Sequence, residues 1–190
     1  LVTGASRGIG RALALDLCAR GHHVIAVARS LKALEALDDE IKAAGGSVTL
    51  VPLDLRDGAG IDRLGEALFA RFGRLDGFAA NAGVLGVLAP VHNVEPSVWE
   101  EVLSLNLTAN YRLLRALDPL LRQSTSGRVA FVTSGVASKV TAFWGPYAVS
   151  KAGLEMLARL YAEETEKTHI RANLFNPGPV RTHMRRQAVP

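Results

Sequence analysis

Short apolar runs alternate with helical stretches along almost the whole chain, and this alternation limits the fold more than any other feature of the sequence. Residues 1–3 read as the tail of a strand. Residues 8–20 read as a helix, with Ile9, Leu13 and Leu17 four apart on one face and Gly21 placed to end it. Residues 23–28 form the next apolar run. Ser30 can cap a second helix in which Leu31, Leu34, Leu37 and Ile41 keep a helical period, and Gly45-Gly46 breaks it. A strand at 47–53 and a helix at 61–72 follow. The scheme then repeats, with strands expected at 77–80, 128–133 and 170–175 and helices at 99–121 and 147–168. The helix at 99–121 must tolerate Pro119 or end near it. Strands separated by helices need crossover connections, which are right-handed and leave a parallel sheet covered on both faces. The expected class is therefore α/β, a doubly wound parallel sheet forming a single domain over residues 1–190, with its ligand crevice at the carboxyl ends of the strands.

Composition removes several alternatives. Hydrophobic residues make up 48% of the 190, enough to form a core and too many for a disordered chain. The longest uncharged stretch, residues 77–94, contains Asn81, Pro90, His92 and Asn93 and would cross a membrane badly. A single cysteine, Cys18, excludes an internal disulfide framework and a Cys-rich metal site, and its apolar helical surroundings predict a buried thiol. No metal site is expected. The net charge of +4 permits a phosphorylated ligand or a polyanion without establishing either. The most basic local stretch, Arg181, His183, Arg185 and Arg186, reads as a solvated tail.

Three features carry chemistry. The first is Thr3-Gly4-Ala5-Ser6-Arg7-Gly8-Ile9-Gly10, between the first strand and the first helix. Glycines let backbone approach a pyrophosphate, and a helix N-terminus offers free N–H groups and a positive dipole end. The spacing Gly-x-x-x-Gly-x-Gly is neither G-x-G-x-x-G nor a Walker loop, and a structural tight turn would also explain it. The second is Tyr147-x-x-x-Lys151, which lies on one helix face. An ammonium near a phenol favours phenolate and would lower the tyrosine pKa; a surface pair is the plain alternative. The third is Ser134, at the end of a strand, where a hydroxyl can hydrogen-bond a substrate carbonyl. It lacks a Gly-x-Ser-x-Gly setting and a nearby His/Asp relay, which argues against a hydrolase nucleophile.

Together these residues make the chain resemble the short-chain dehydrogenase/reductase family, from Leu1 to about Met184. The ordered set is Thr-Gly-x-x-x-Gly-x-Gly at 3–10, Asp54-Leu55, Asn81-Ala82-Gly83, Asn106, Ser134, Tyr147-x-x-x-Lys151, and Pro177-Gly178 with Thr182. The resemblance implies a Rossmann fold and a role for each position. Tyr147 would be the acid in reduction and the base in oxidation. Lys151 would bond the nicotinamide ribose and lower the Tyr147 pKa. Ser134 would hold and polarise the carbonyl, and Asn106 would anchor a water in a relay to Lys151, unless it is simply a locally bonded helix residue. Gly4, Ser6, Arg7, Gly8, Ile9 and Gly10 would form the phosphate turn. Asp54 and Leu55 would meet the adenine, and Asn81, Ala82 and Gly83 the adenosine side, with Ala80 where many relatives carry a second Asn. Pro177, Gly178, Val180 and Thr182 would hold the carboxamide, or form a plain turn.

Cofactor choice follows from charge. NAD-selective sites put an acid at the end of the second strand; here that strand ends Val27-Ala28-Arg29-Ser30. Arg29, helped by Arg7, suits a 2′-phosphate, so NADP(H) is expected over NAD(H). The substrate is expected to be a small carbonyl or alcohol. Val140, Phe143 and Trp144 would line a partly apolar pocket or pack in the core or at a subunit contact. The resemblance further implies a homodimer or homotetramer, a cytoplasmic enzyme, and a longer parent chain whose substrate loop and last strand are missing here. A nucleotide-sensing Rossmann module without turnover is the alternative. Nucleic-acid binding ranks last, because the basic residues are scattered.

Overall fold

The computed structural model describes residues 1–188. Six parallel strands form one sheet in the order β3-β2-β1-β4-β5-β6. They are β1 (Val2–Thr3), β2 (Val24–Ala28), β3 (Val48–Pro52), β4 (Gly77–Ala80), β5 (Arg128–Val132) and β6 (Arg171–Phe175). The strand order reverses at the junction of β1 and β4, where Val2 is paired with Ala79. In a doubly wound sheet that junction opens a crevice at the carboxyl ends of the strands.

Side chains alternate across the sheet, and each face has its own core. Val24, Ala26 and Ala28 pack under α1 (Gly8–Ala19) and α2 (Leu31–Ala43), with Cys18 buried among them. Ile25, Val27, Phe78 and Phe131 pack on the other face against α3 (Gly58–Phe72), α5 (Ala109–Arg122) and α6 (Gly145–Glu164). Ser30 caps α2 by accepting from the Ala33 N–H at 3.3 Å, as expected. The helix expected at 61–72 begins earlier, because Asp57 accepts the Gly60 N–H at 2.9 Å and caps it there.

Two expected helices differ more. The helix expected at 99–121 is three pieces: α4 (Pro96–Leu103), a π-helical turn at Ser104–Thr108, and α5, which runs through Pro119. The helix expected at 147–168 starts two residues earlier, with Pro146 in its first turn. It stops at Glu164, where the Thr165 hydroxyl donates back to the Tyr161 carbonyl at 2.7 Å. A last helix, α7 (His183–Ala188), follows β6. Among the described residues no helix is long and apolar enough to cross a membrane.

Candidate active site

The crevice holds a cleft of about 1110 Å³ that runs from the turn after β1, past the ends of β4 and β5, to the segment after β6. The turn is built from backbone. Gly4 and Gly8 have φ of +66° and +57°, a region that costs an ordinary residue strain. Gly10 serves the same turn differently: a Cβ there would sit 2.4 Å from the Gly4 carbonyl oxygen and 2.5 Å from Asn81 Nδ2. So α1 approaches the strand ends as closely as it does only because residue 10 has no side chain. Thr3 locks the two central strands. Its hydroxyl donates to the Ala79 carbonyl and accepts the N–H groups of Asn81 and Ala82 at 3.0 and 3.1 Å. Asn81 Nδ2 returns a bond to the Thr3 carbonyl at 2.9 Å.

The far wall is built from buried side chains. Asn106, within the π turn, is fully buried. Its Oδ1 accepts the Val84 N–H at 2.9 Å, and its Nδ2 donates to the Val84 carbonyl and to Ser150 Oγ, at 2.9 and 3.0 Å. The Ser150 hydroxyl donates in turn to the Tyr147 carbonyl at 2.8 Å. Asn110 Nδ2 donates to the Asn106 carbonyl at 2.8 Å. The segment after β4 is therefore pinned to the helix that carries Tyr147 and Lys151. Lys151 is 3% exposed and its Nζ donates to the Val132 carbonyl at 2.8 Å. Burial lowers the Lys151 pKa to about 8. Nζ stands 5.8 Å from the centre of the Tyr147 ring.

The expectation that Lys151 lowers the Tyr147 pKa is corrected here. Burial pushes the Tyr147 phenol up, and the hydrogen bond from the neighbouring Ser134 only partly offsets it. The Lys151 ammonium bonds the strand carbonyl instead.

Most of the expected site residues share this one cleft. Gly4, Ser6, Arg7, Gly8, Ile9, Arg29, Leu55, Asn81, Ala82 and Gly83 line one part of it. Ser134, Tyr147, Lys151, Pro177, Gly178, Val180 and Thr182 line the other. Asn106, Gly10 and Asp54 are not part of the lining. Asp54 is held by Arg56, whose Nη2 and Nε reach its carboxylate at 2.6 and 3.0 Å, and this pairing keeps its pKa below the usual carboxylate range. Arg56 bridges on to Glu101 at 3.2 Å, so the carboxylate expected against an adenine faces a guanidinium. Of the apolar trio, Trp144 lines the cleft, while Val140 is 98% exposed and Phe143 57% exposed. Phe143 has a φ of 72°, rare for a bulky residue, and its carbonyl accepts the Ala89 N–H at 3.1 Å.

The basic stretch is the second correction. Arg181, His183, Arg185 and Arg186 are exposed to solvent but line the mouth of the cleft, on α7 and the residue pair before it. Thr182 faces the glycine turn, since a Cβ at Gly8 would lie 3.5 Å from its methyl group, and its Oγ1 accepts the Arg185 N–H at 3.2 Å. Sequence reasoning missed Ser150 and Asn110, which carry no motif of their own; the i+3 position after Tyr147 was the only signal for Ser150.

The family model described as short chain dehydrogenase matches residues 1–190. An Escherichia coli protein named uncharacterized oxidoreductase YciK is 36% identical, over all of this chain and 76% of its own length. The E. coli 3-oxoacyl-[acyl-carrier-protein] reductase FabG is 34% identical, over 98% of this chain and 75% of its own length. A Shigella flexneri short chain dehydrogenase, solved in complex with NADP, superposes with a TM-score of 0.95 at 36% identity, over all of this chain and 80% of its own.

Proposed function

This chain belongs to the short chain dehydrogenase family, and on that premise we propose that it is an NADP(H)-dependent oxidoreductase that interconverts a carbonyl and an alcohol. One observation carries the reading: Ser134, Tyr147 and Lys151 meet on one wall of the same cleft whose other end is the glycine turn at the start of α1. The residues fit the cofactor. Backbone at Gly4 and Gly8 makes room for a pyrophosphate at a helix N-terminus, and Arg7 and Arg29 offer guanidinium groups for a 2′-phosphate. The NADP in the Shigella neighbour supports the same choice. When bound, NADPH supplies the hydride.

The chain's own residues do the rest. Tyr147 donates its phenolic proton to the carbonyl oxygen. It carries that proton at neutral pH, as the acid of a reduction must, although burial makes it a weaker acid than a free tyrosine. Ser134, which lines the same part of the cleft as Tyr147, donates to the same oxygen. Lys151, with its pKa near 8, can pass charge or proton without a large cost. Asn106 acts through position, by fixing the segment at Val84 against α6. The relatives are named for different substrates, so the carbonyl compound is not carried over from them. We place the enzyme in the cytoplasm, where a nicotinamide pool is at hand. We also infer a homodimer or homotetramer, supported by the exposed Tyr111, Val149, Met156 and Leu160 on α5 and α6.

The test is NADPH oxidation across a panel of aldehydes and ketones, with NADPH binding followed separately by fluorescence. Tyr147→Phe is expected to lower turnover by about a thousandfold with NADPH still bound. Unchanged turnover in that variant would sink the assignment. NADPH binding without turnover of any carbonyl would favour the nucleotide-sensing module instead, and equal use of NADH would remove the cofactor preference.

A further inference from the structure

The cleft holds more positive charge than the proposed cofactor uses. Arg7 and Arg29 lie toward the glycine turn and Lys151 is buried at the centre. Lys139, Arg181, Arg185 and Arg186 stand around the rest of the lining. Among the described residues no Asp or Glu lines the cleft. None of these seven cations takes part in an ion pair either: every pair among the described residues uses other arginines and lysines. A pyrophosphate and one phosphate monoester carry about four negative charges together. Several cations are then left over.

Lys139 is the one whose place says what the surplus is for. It sits on the segment between β5 and α6, with its N–H bonded to the Gly135 carbonyl at 2.9 Å. Ser134 lies near the start of that segment, Trp144 ends it and Tyr147 follows in the first turn of α6, so Lys139 shares the loop next to the proposed carbonyl site, not that of the phosphate turn. Arg185 and Arg186 of α7 line the same cleft. Such a cleft concentrates anions and repels cations.

We propose that the carbonyl substrate is an anion, bearing a carboxylate or phosphate group that Lys139 receives at the mouth of the cleft within the field of the α7 arginines. This rests on the oxidoreductase reading and names the chemical class it acts on.

The experiment compares 4-carboxybenzaldehyde with its methyl ester, and glyceraldehyde 3-phosphate with glyceraldehyde, under saturating NADPH. The anionic member of at least one pair is expected to have a kcat/KM about tenfold higher, and the pair that shows it identifies the anion. The preference should shrink in about 0.5 M KCl. Lys139→Met should erase most of it and Lys139→Arg should keep it. Equal use of both members in both pairs, or a preference that survives Lys139→Met, overturns the proposal. A binding arm is independent of turnover: benzoate, but not benzamide, should bind in the presence of NADP⁺ by calorimetry, more weakly in Lys139→Met. Benzoate binding without turnover of any aldehyde would remove the oxidoreductase reading and keep the anion site, whereas turnover without benzoate preference would do the reverse.

Discussion

The two ends of the cleft are built by opposite means. At the β1 end the shape comes from backbone: glycines at positive φ, a helix that approaches because Gly10 lacks a side chain, and strand ends tied through Thr3. The charged groups there, Arg7 and Arg29, are exposed and unpaired. At the β5 end the shape comes from buried side chains bonded to one another, from Asn106 through Ser150 to the helix of Tyr147 and Lys151. The charge there is desolvated. The first construction suits tight recognition of phosphate oxygens by N–H groups, and lets outer side chains vary with little effect on folding. The second holds reacting groups still, at a cost in stability that burial of Lys151 makes measurable.

That cost gives the largest expected effect. Burial holds Lys151 near pH 8, against an ordinary lysine value of 10.5. The folded pKa is depressed, so between about pH 8 and 10.5 the unfolded chain binds more protons and stability rises with pH. Below pH 8 the folded state carries the full penalty. Lys151→Met abolishes it along with the bond to the Val132 carbonyl, whose loss is the same at every pH. The variant's stability relative to the wild type should therefore be higher at pH 7 than at pH 10.5, by about 3 kcal/mol, in denaturant titrations at both values. Parallel pH dependence of the two proteins would mean the ammonium is solvated, and the contrast between the two ends would fail.

The backbone end is tested by glycine. Gly10→Ala must push the Gly4 carbonyl or the Asn81 amide aside, and overpacking of this kind costs about 2 kcal/mol. It should also weaken NADPH binding, because the displaced atoms belong to the turn. Gly45→Ala is the control: its φ of +77° strains an alanine, but nothing lies within 4 Å of the new methyl group. Its cost should be about 1 kcal/mol, with NADPH affinity untouched. Equal losses in the two variants would show that Gly10 serves conformation and not close approach.

The same division explains how much the sequence could say. The glycine turn, the strands and the doubly wound order were legible, because period, apolar runs and glycine spacing are local properties of the chain. Tyr147 and Lys151 were legible as a helical pair for the same reason. The π turn was not: residues 99–121 keep a helical period, and the break comes where Asn106 bonds Val84, twenty-two residues away in sequence. The phenol's raised pKa was hidden by the same kind of fact, since burial is a property of the fold while proximity to a lysine can be read from spacing. The pairing of Asp54 with Arg56, two residues on, was not read from the sequence either. The basic stretch at 181–186 looked like a solvated tail because nothing in its own pattern records that it lines the cleft.

The smallest expected effect is at the exposed edge of the backbone-built end. Arg29 follows directly on β2, is exposed, and has no ion-pair partner among the described residues. Its field still reaches Asp54, whose pKa it helps to lower after Arg56, so part of its charge is already balanced. An exposed guanidinium on a phosphate is then worth about 1 kcal/mol. Arg29→Ala should lower the preference for NADPH over NADH several-fold, and Arg29→Asp, which adds repulsion, by at least about tenfold, read as the ratio of kcat/KM values. Folding stability should move by less than about 0.5 kcal/mol in either variant, as for surface changes generally. A loss of turnover with both cofactors alike would tie Arg29 to the shape of the turn, and the separation of cofactor choice from architecture at this end would not stand.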